Sequence, residues 1–243
     1  MDIHRIKDRL EEWWRYPQPT RMQQQVLAQY TDVRDVAEIA RQRAGETSAD
    51  YMMSTELHKA HNFAVDYDLH TWVCEQTDRD LLANGGLVME MGVATGRTVN
   101  HIARELPNTT VFGFDSFEGL NETWNWYIRE GHFAQPVPRV RKNVDLRVGW
   151  FEDTLGPFLA EYHQPIALLH IDSDLYSSAR YVLDRTVHRL VPNSIVLFDE
   201  YFNYPGWEQH EFRAWQETVK RHKIKYEYIG MVTRHQKVAV RIK

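Results

Sequence analysis

LVMEMGVATGRTVNHIARELPNTTVFGFD, residues 87–115, carries the pattern that decides the fold. An apolar run of strand length, LVMEMGV (87–93), enters a turn with glycines at 92 and 96. Val99, Ile102, Ala103 and Leu106 then recur at helical spacing before a second apolar run, TTVFGFD (109–115). Strands that are apolar on both faces and alternate with helices indicate a parallel sheet covered by helices on both sides.

Further along the chain, VDLRVGW (144–150), IALLHID (166–172) and SIVLFDE (194–200) repeat the strand pattern. Ala179, Leu183, Val187 and Leu190 repeat the helical one, as do Phe212, Trp215 and Val219. YEYIGMV and QKVAVRI, joined by TRH, read as an antiparallel hairpin. The expected fold is α/β and Rossmann-like, with a mostly parallel seven-stranded sheet closed by that C-terminal hairpin. It occupies residues 79–243.

Residues 1–78 read instead as a helical N-terminal extension. Ile3, Ile6, Leu10 and Trp13 predict a helix ended by Pro17 and Pro19, and a second helical stretch spans 20–42. GETSAD (45–50) predicts a break, and Ser54 is the expected N-cap of a third helix with Val65, Leu69, Trp72 and Val73 on one face. The extension is rich in aromatic and apolar residues, Trp13 and Trp14 among them. It is expected to serve the substrate or to bury its faces in a homodimer or larger assembly.

Composition narrows the class. A formal charge of -5 with no long run of one sign argues against nucleic acid as the partner. Cys74 is the single cysteine, so no intrachain disulfide forms and a reducing cytoplasm fits. The start MDIHRIKDRLEEWW is too charged for a secretory signal, and no run approaches the roughly 18 apolar residues of a membrane span. The expectation is a soluble cytoplasmic protein acting on a small molecule.

The turn E90-M-G92-V-A-T-G96 holds the first chemical signal. Glycines let the backbone approach a ligand, and Gly96 precedes a helix whose first amides lack partners. A dinucleotide site would show G-x-G-x-x-G to seat a pyrophosphate. This turn shows G-x-x-x-G and the acid Glu90, which suit the cationic, phosphate-free S-adenosylmethionine. Asp115, at the end of the second strand, is placed to accept ribose hydroxyls. Taken alone, the glycines are also compatible with a plain tight turn.

The second signal is acidic. Asp172 closes the fourth strand, and Asp199 and Glu200 close the fifth, which places all three at the same sheet edge. Three converging carboxylates repel unless a cation neutralises them, and all-oxygen ligands favour Mg²⁺ or Mn²⁺ over zinc. The bland alternative is that Asp199 and Glu200 cap the next helix.

GFDSFEGL (113–120), VGWFEDTL (148–155), LLHIDSDLYSSAR (168–180) and VLFDEYFNYPGW (196–207) together resemble the macrocin O-methyltransferase family of class I S-adenosylmethionine-dependent methyltransferases. The resemblance covers residues 85–243. It implies S-adenosylmethionine as methyl donor, bound Mg²⁺, and methylation of a hydroxyl, often on a sugar of a secondary metabolite. On this resemblance Glu90, Gly92 and Gly96 match the glycine motif and Asp115 the ribose acid. Ser116 and Phe117 fall beside the adenosine, and Trp150 and Phe151 beside the adenine. Asp172, Asp199 and Glu200 match the metal ligands, Glu200 standing where aspartate is frequent.

The irregular stretch 116–143 reads as a lid, and His132 within it is the candidate base alongside Asp172. His170, on the same strand face as Asp172, reads as a buried neutral histidine orienting that aspartate. Three other readings compete: a metal-independent or nitrogen-directed methyltransferase, an NAD-type oxidoreductase, which would need the missing G-x-G-x-x-G, and a non-catalytic nucleoside-binding module.

Overall fold

Strands β2 (Leu87–Met91) and β5 (Ile166–Ile171) lie side by side with every residue buried. The computed structural model describes residues 35–125 and 128–243. β2 also pairs in parallel with β3 (Val111–Asp115), so the direction of winding reverses between β2 and β5. Together with β1 (His61–Asn62), β4 (Val144–Val148), β6 (Leu190–Phe198), β7 (Tyr226–Met231) and β8 (Val238–Ile242), they form one sheet of eight strands among the described residues, in the order β1-β7-β8-β6-β5-β2-β3-β4. Both pairings of β8, with β6 and β7, are antiparallel, and the others are parallel. The α/β sheet with its C-terminal antiparallel hairpin is the architecture expected. The unexpected eighth strand, β1, adds in parallel to β7 through His61–Gly230 and Asn62–Met231.

Alternating side chains pack the two faces. Met89, Met91, Phe112 and Phe114 meet Phe158 and Trp215 on one side, while Val88, Val111 and Leu168 meet Val99 and Ile102 on the other. The helices are α1 (Val36–Ser54), α2 (Asp66–Gln76), α3 (Arg79–Ala83), α4 (Arg97–Glu105), α5 (Phe151–Glu161), α6 (Tyr176–Thr186) and α7 (Glu211–His222). None is long and apolar enough to cross a membrane.

Three local expectations are corrected. GETSAD is not a break: it lies inside α1. Its small polar residues meet a loop instead, with Ser48 Oγ accepting the Asn203 N–H at 2.8 Å and Thr47 Oγ1 accepting Trp207 Nε1–H at 3.0 Å. Ser54 ends α1 rather than starting a helix, and Thr55 caps a 3-10 turn, Glu56–Lys59. α2 begins at Asp66, with Leu69 and Val73 fully buried and Val65 exposed at its N-cap. The helix carrying Ala179 and Leu183 stops at Thr186, and Leu190 already belongs to β6.

The chain divides into Met1–Ile39, of which residues 35–39 are described, and a compact unit Ala40–Lys243. The helix expected around residues 3–13 and most of that expected over 20–42 lie outside the described residues.

Gly92 shows how tightly β2 and β5 meet. Its φ is +94°, and a Cβ there would stand 1.7 Å from the Asp172 carbonyl oxygen. Both obstacles are backbone, so no rotamer change relieves them. Gly92→Ala is therefore expected to cost more than about 3 kcal/mol in urea denaturation, or to prevent folding. An unchanged denaturation midpoint would refute this account of the strand contact.

Candidate active site

The main-chain ladder runs one residue past several strand ends. The Gly92 N–H donates to Phe114 O at 2.9 Å, Asp172 N–H to Met91 O at 2.8 Å, Asp199 N–H to Ile171 O at 2.9 Å and Gly149 N–H to Asp115 O at 3.0 Å. Residues from four strands thus reach the same carboxyl edge, where the reversal of winding opens a crevice. That crevice is a cavity of about 430 Å³. Its lining includes Gly92, Ala94, Asp115 and Ser116, the pair Trp150 and Phe151, and the acids Asp172, Asp174 and Glu200.

Asp115 organises the glycine turn. Its Oδ2 accepts the N–H groups of Val93 and Ala94, both at 2.8 Å, and Oδ1 accepts that of Phe117 at 2.7 Å. Ala94, Phe133 and Asp174, which line the cavity, hold positive φ of 45°, 70° and 58°.

Carboxylate oxygens of Asp172, Asp199 and Glu200 lie within 4.8 Å of one another. Burial, followed by the charge of Asp199, raises the pKa of both Asp172 and Glu200. Glu200 Oε2 is buried and meets no hydrogen-bond donor among the described residues. Burial opposes ionisation of Asp199 as well, but the Lys237 ammonium in contact with it and His170 hold its pKa well below the carboxylate range. Burial, with Asp199 and Asp115 nearby, pushes Asp174 up to about 7. An acidic set that resists ionisation, with an unpartnered oxygen, fits a divalent cation bound by oxygen.

His170 is not the neutral partner of Asp172 that the sequence predicts. Its Nδ1 lies 3.3 Å from Glu90 Oε2 and its Nε2 3.4 Å from Asp199 Oδ1. Burial would lower its pKa, but these two carboxylates raise it to about 10. His70, His170 and Asp199 also cluster at ligand distance, with both nitrogens of His170 facing carboxylates.

The expected residues divide into two groups. Gly92, Asp115, Ser116, Trp150, Phe151, Asp172 and Glu200 line the cavity, and Asp199 stands with the acidic set. Glu90, Gly96, Phe117 and His132 do not line it. Glu90 is fully buried against His170, Gly96 is the left-handed N-cap of α4, and Phe117 packs into the core. His132 is exposed, its ring stacked edge-on against Phe133. Sequence reasoning passed over Asp174, Lys237 and Glu211. Asp174 was legible as the second acid of IDSD, but Lys237 and Glu211 come from distant elements and carried no signal.

The expected lid is bonded to itself. Gln135 N–H donates to Phe117 O, Gly131 N–H to Leu120 O, Leu120 N–H to His132 O and Trp124 N–H to Ile128 O. Leu120, Trp124, Ile128 and Phe133 face the cavity as an apolar wall. Ser177 Oγ fastens this loop to α6 by donating to Glu122 Oε1 at 2.6 Å.

A family model described as a methyltransferase domain matches residues 89–201. An 8-demethyl-8-(2,3-dimethoxy-alpha-L-rhamnosyl)-tetracenomycin-C 4'-O-methyltransferase of Streptomyces olivaceus is 29% identical over 148 residues, covering 50% of this chain and 56% of its own length. The chain thus spans little more than half of that curated relative. Among solved structures, CalS11, a calicheamicin methyltransferase, superposes with a TM-score of 0.59 at 22% identity, over 86% of this chain and 94% of its own. The O-methyltransferase NovP does so at 0.56 and 22%, over 72% of this chain and 78% of its own. At such identity the likeness is one of fold, which is that of the class I methyltransferases.

Asp115→Asn leaves one carboxamide oxygen to serve three backbone donors and turns an NH₂ toward them. Bonds to a charged acceptor contribute about 1.5–3 kcal/mol each. The variant is expected to lose about 2–3 kcal/mol in urea denaturation, partial replacement included. Wild-type stability would mean that the turn holds its shape without Asp115.

Proposed function

We propose that this chain is an S-adenosylmethionine-dependent O-methyltransferase acting on a hydroxyl of a small molecule, with Mg²⁺ or Mn²⁺ held by Asp172, Asp199 and Glu200. One observation carries the reading: Asp172 and Glu200 of the acidic set, with the unpartnered Glu200 oxygen, line the same cavity as Gly92 and Asp115, and Asp199 stands within ligand distance of both. The methyltransferase-domain match and the Streptomyces O-methyltransferase support the reaction class, and that relative's rhamnosyl acceptor supports a sugar of a natural product as substrate.

In this reading the turn, Asp115, Ser116, Trp150 and Phe151 hold the methyl donor. Asp172, Asp199 and Glu200 would hold the cation, and the chemistry it would supply is Lewis acidity toward a hydroxyl. Asp199, already ionised beside Lys237 and His170, is the ready ligand. Asp174, lining the cavity beside this set, takes the hydroxyl proton in place of His132. The apolar wall of Leu120, Trp124, Ile128 and Phe133 keeps water from the reacting atoms. Residues 1–34 lie outside the described residues, and their aromatic sequence supports a homodimer or larger oligomer. Light scattering at micromolar concentration should give at least twice the mass of 28.8 kDa, and a monomer would refute this.

Chelation should abolish methyl transfer and added Mg²⁺ should restore it, while calorimetry still registers S-adenosylmethionine binding. Asp199→Ala should reproduce the chelated state without full rescue by excess metal. Full turnover by metal-stripped protein in chelator would remove the cation from the mechanism and leave the carboxylates as bases or hydrogen-bond acceptors.

A further inference from the structure

Glu211 opens α7 and is fully buried, and backbone amides take both of its oxygens. Oε1 accepts the Ser173 N–H and Oε2 the Glu200 N–H, each at 3.1 Å. Ser173 follows Asp172, and Glu200 follows Asp199. One carboxylate from a third element therefore ties together the two strand-end loops that carry the acidic set. Beyond the rung from Asp199 N–H to Ile171 O, it acts as a further cross-link between the ends of β5 and β6.

The group is suited to this task and otherwise poorly placed. A carboxylate accepts from two N–H donors at once, whereas a carboxamide has one accepting oxygen and two hydrogens of its own. Yet a fourth buried acid beside Asp172, Asp199 and Glu200 adds repulsion, which the two backbone N–H groups bonded to Glu211 oppose. An apolar residue would fill the space without that repulsion but would leave two buried N–H groups unpaired.

We infer that Glu211 is a positioning residue for the metal: by holding the Ser173 and Glu200 amides on one rigid group, it sets the separation of Asp172 from Glu200 at which a divalent cation binds. The inference rests on the metal reading above. Groups that orient metal ligands typically change affinity by about 10–100-fold when replaced.

The test titrates metal-stripped full-length protein with Mn²⁺ alone, following free Mn²⁺ by electron paramagnetic resonance. Adenosylhomocysteine binding is measured separately by calorimetry. Glu211→Gln is expected to weaken Mn²⁺ binding about 10–100-fold and to leave adenosylhomocysteine affinity within about twofold. The Mg²⁺ concentration for half-maximal methyl transfer should rise by the same factor, with kcat at saturating metal close to wild type. Glu211→Asp keeps the charge but is a methylene too short to reach both amides, and should weaken Mn²⁺ binding at least about tenfold. Wild-type Mn²⁺ affinity in Glu211→Gln would overturn the assignment. Wild-type affinity in Glu211→Asp would attribute the effect to charge alone and overturn the positioning role. A joint loss of adenosylhomocysteine affinity and kcat with no change in metal requirement would mark a general loosening and also overturn it. If neither variant folds, Glu211 is a folding residue and the assignment falls. A wild-type protein that takes up no Mn²⁺ would overturn the metal reading itself, and this inference with it.

Discussion

The carboxyl edge of the sheet concentrates negative charge in a place with little water. Glu90, Asp172, Asp174, Asp199, Glu200 and Glu211 gather there, while His170 and Lys237 are the cations in contact with Asp199. Two like charges about 4 Å apart repel by about 4 kcal/mol at an effective dielectric of about 20. The set is bearable only with its charge divided. Asp199 stays ionised between the two cations, Asp172, Asp174 and Glu200 are shifted toward holding protons, and two backbone N–H groups oppose the same shift at Glu211. The rest of the edge accommodates that division. Backbone amides approach the acids, positive-φ residues ring the cavity, and the Gly92 turn presses against Asp172 with no room for a side chain.

Much of this was legible in the sequence because parallel strands make their own case. β2, β3, β5 and β6 are mostly apolar, and each ends on a residue that its chemistry makes conspicuous: Gly92, Asp115, Asp172 or the pair Asp199–Glu200. The same logic failed wherever a distant contact outweighed local propensity. GETSAD has the composition of a loop but is helical because Thr47 and Ser48 bond to the 203–207 segment. Strand β1 is two residues long and has no pattern of its own, existing through the edge that β7 offers it.

The site was legible to the same depth. Residues carried on strand ends were found, because topology alone brings them together. Charge partners were not. His170 was expected to be buried, and is, but its partners are Glu90 from β2 and Asp199 from beyond β6, and no spacing along the chain announces that triangle. Lys237 arrives from the C-terminal hairpin and Glu211 from the first turn of α7, each within reach only after the sheet has closed. His132 attracted notice for being a histidine in a lid, yet that loop lines the cavity with Leu120, Trp124, Ile128 and Phe133 beside Ser116 and Asn121, and not with His132.

The loop also separates two kinds of heritable change. Its pairing from Phe117 to Gln135 is internal, and its inward side chains come from one short stretch of sequence. The charged set draws on the ends of several strands and on a helix, where altering one residue disturbs the partners of several others. On the reading proposed above, a lineage of such proteins can drift in the acceptor it admits by rewriting a single contiguous segment, while the chemistry beneath stays under a constraint drawn from several elements. On that reading, acceptor range changes through edits confined to one segment, and the charged set only through coordinated ones.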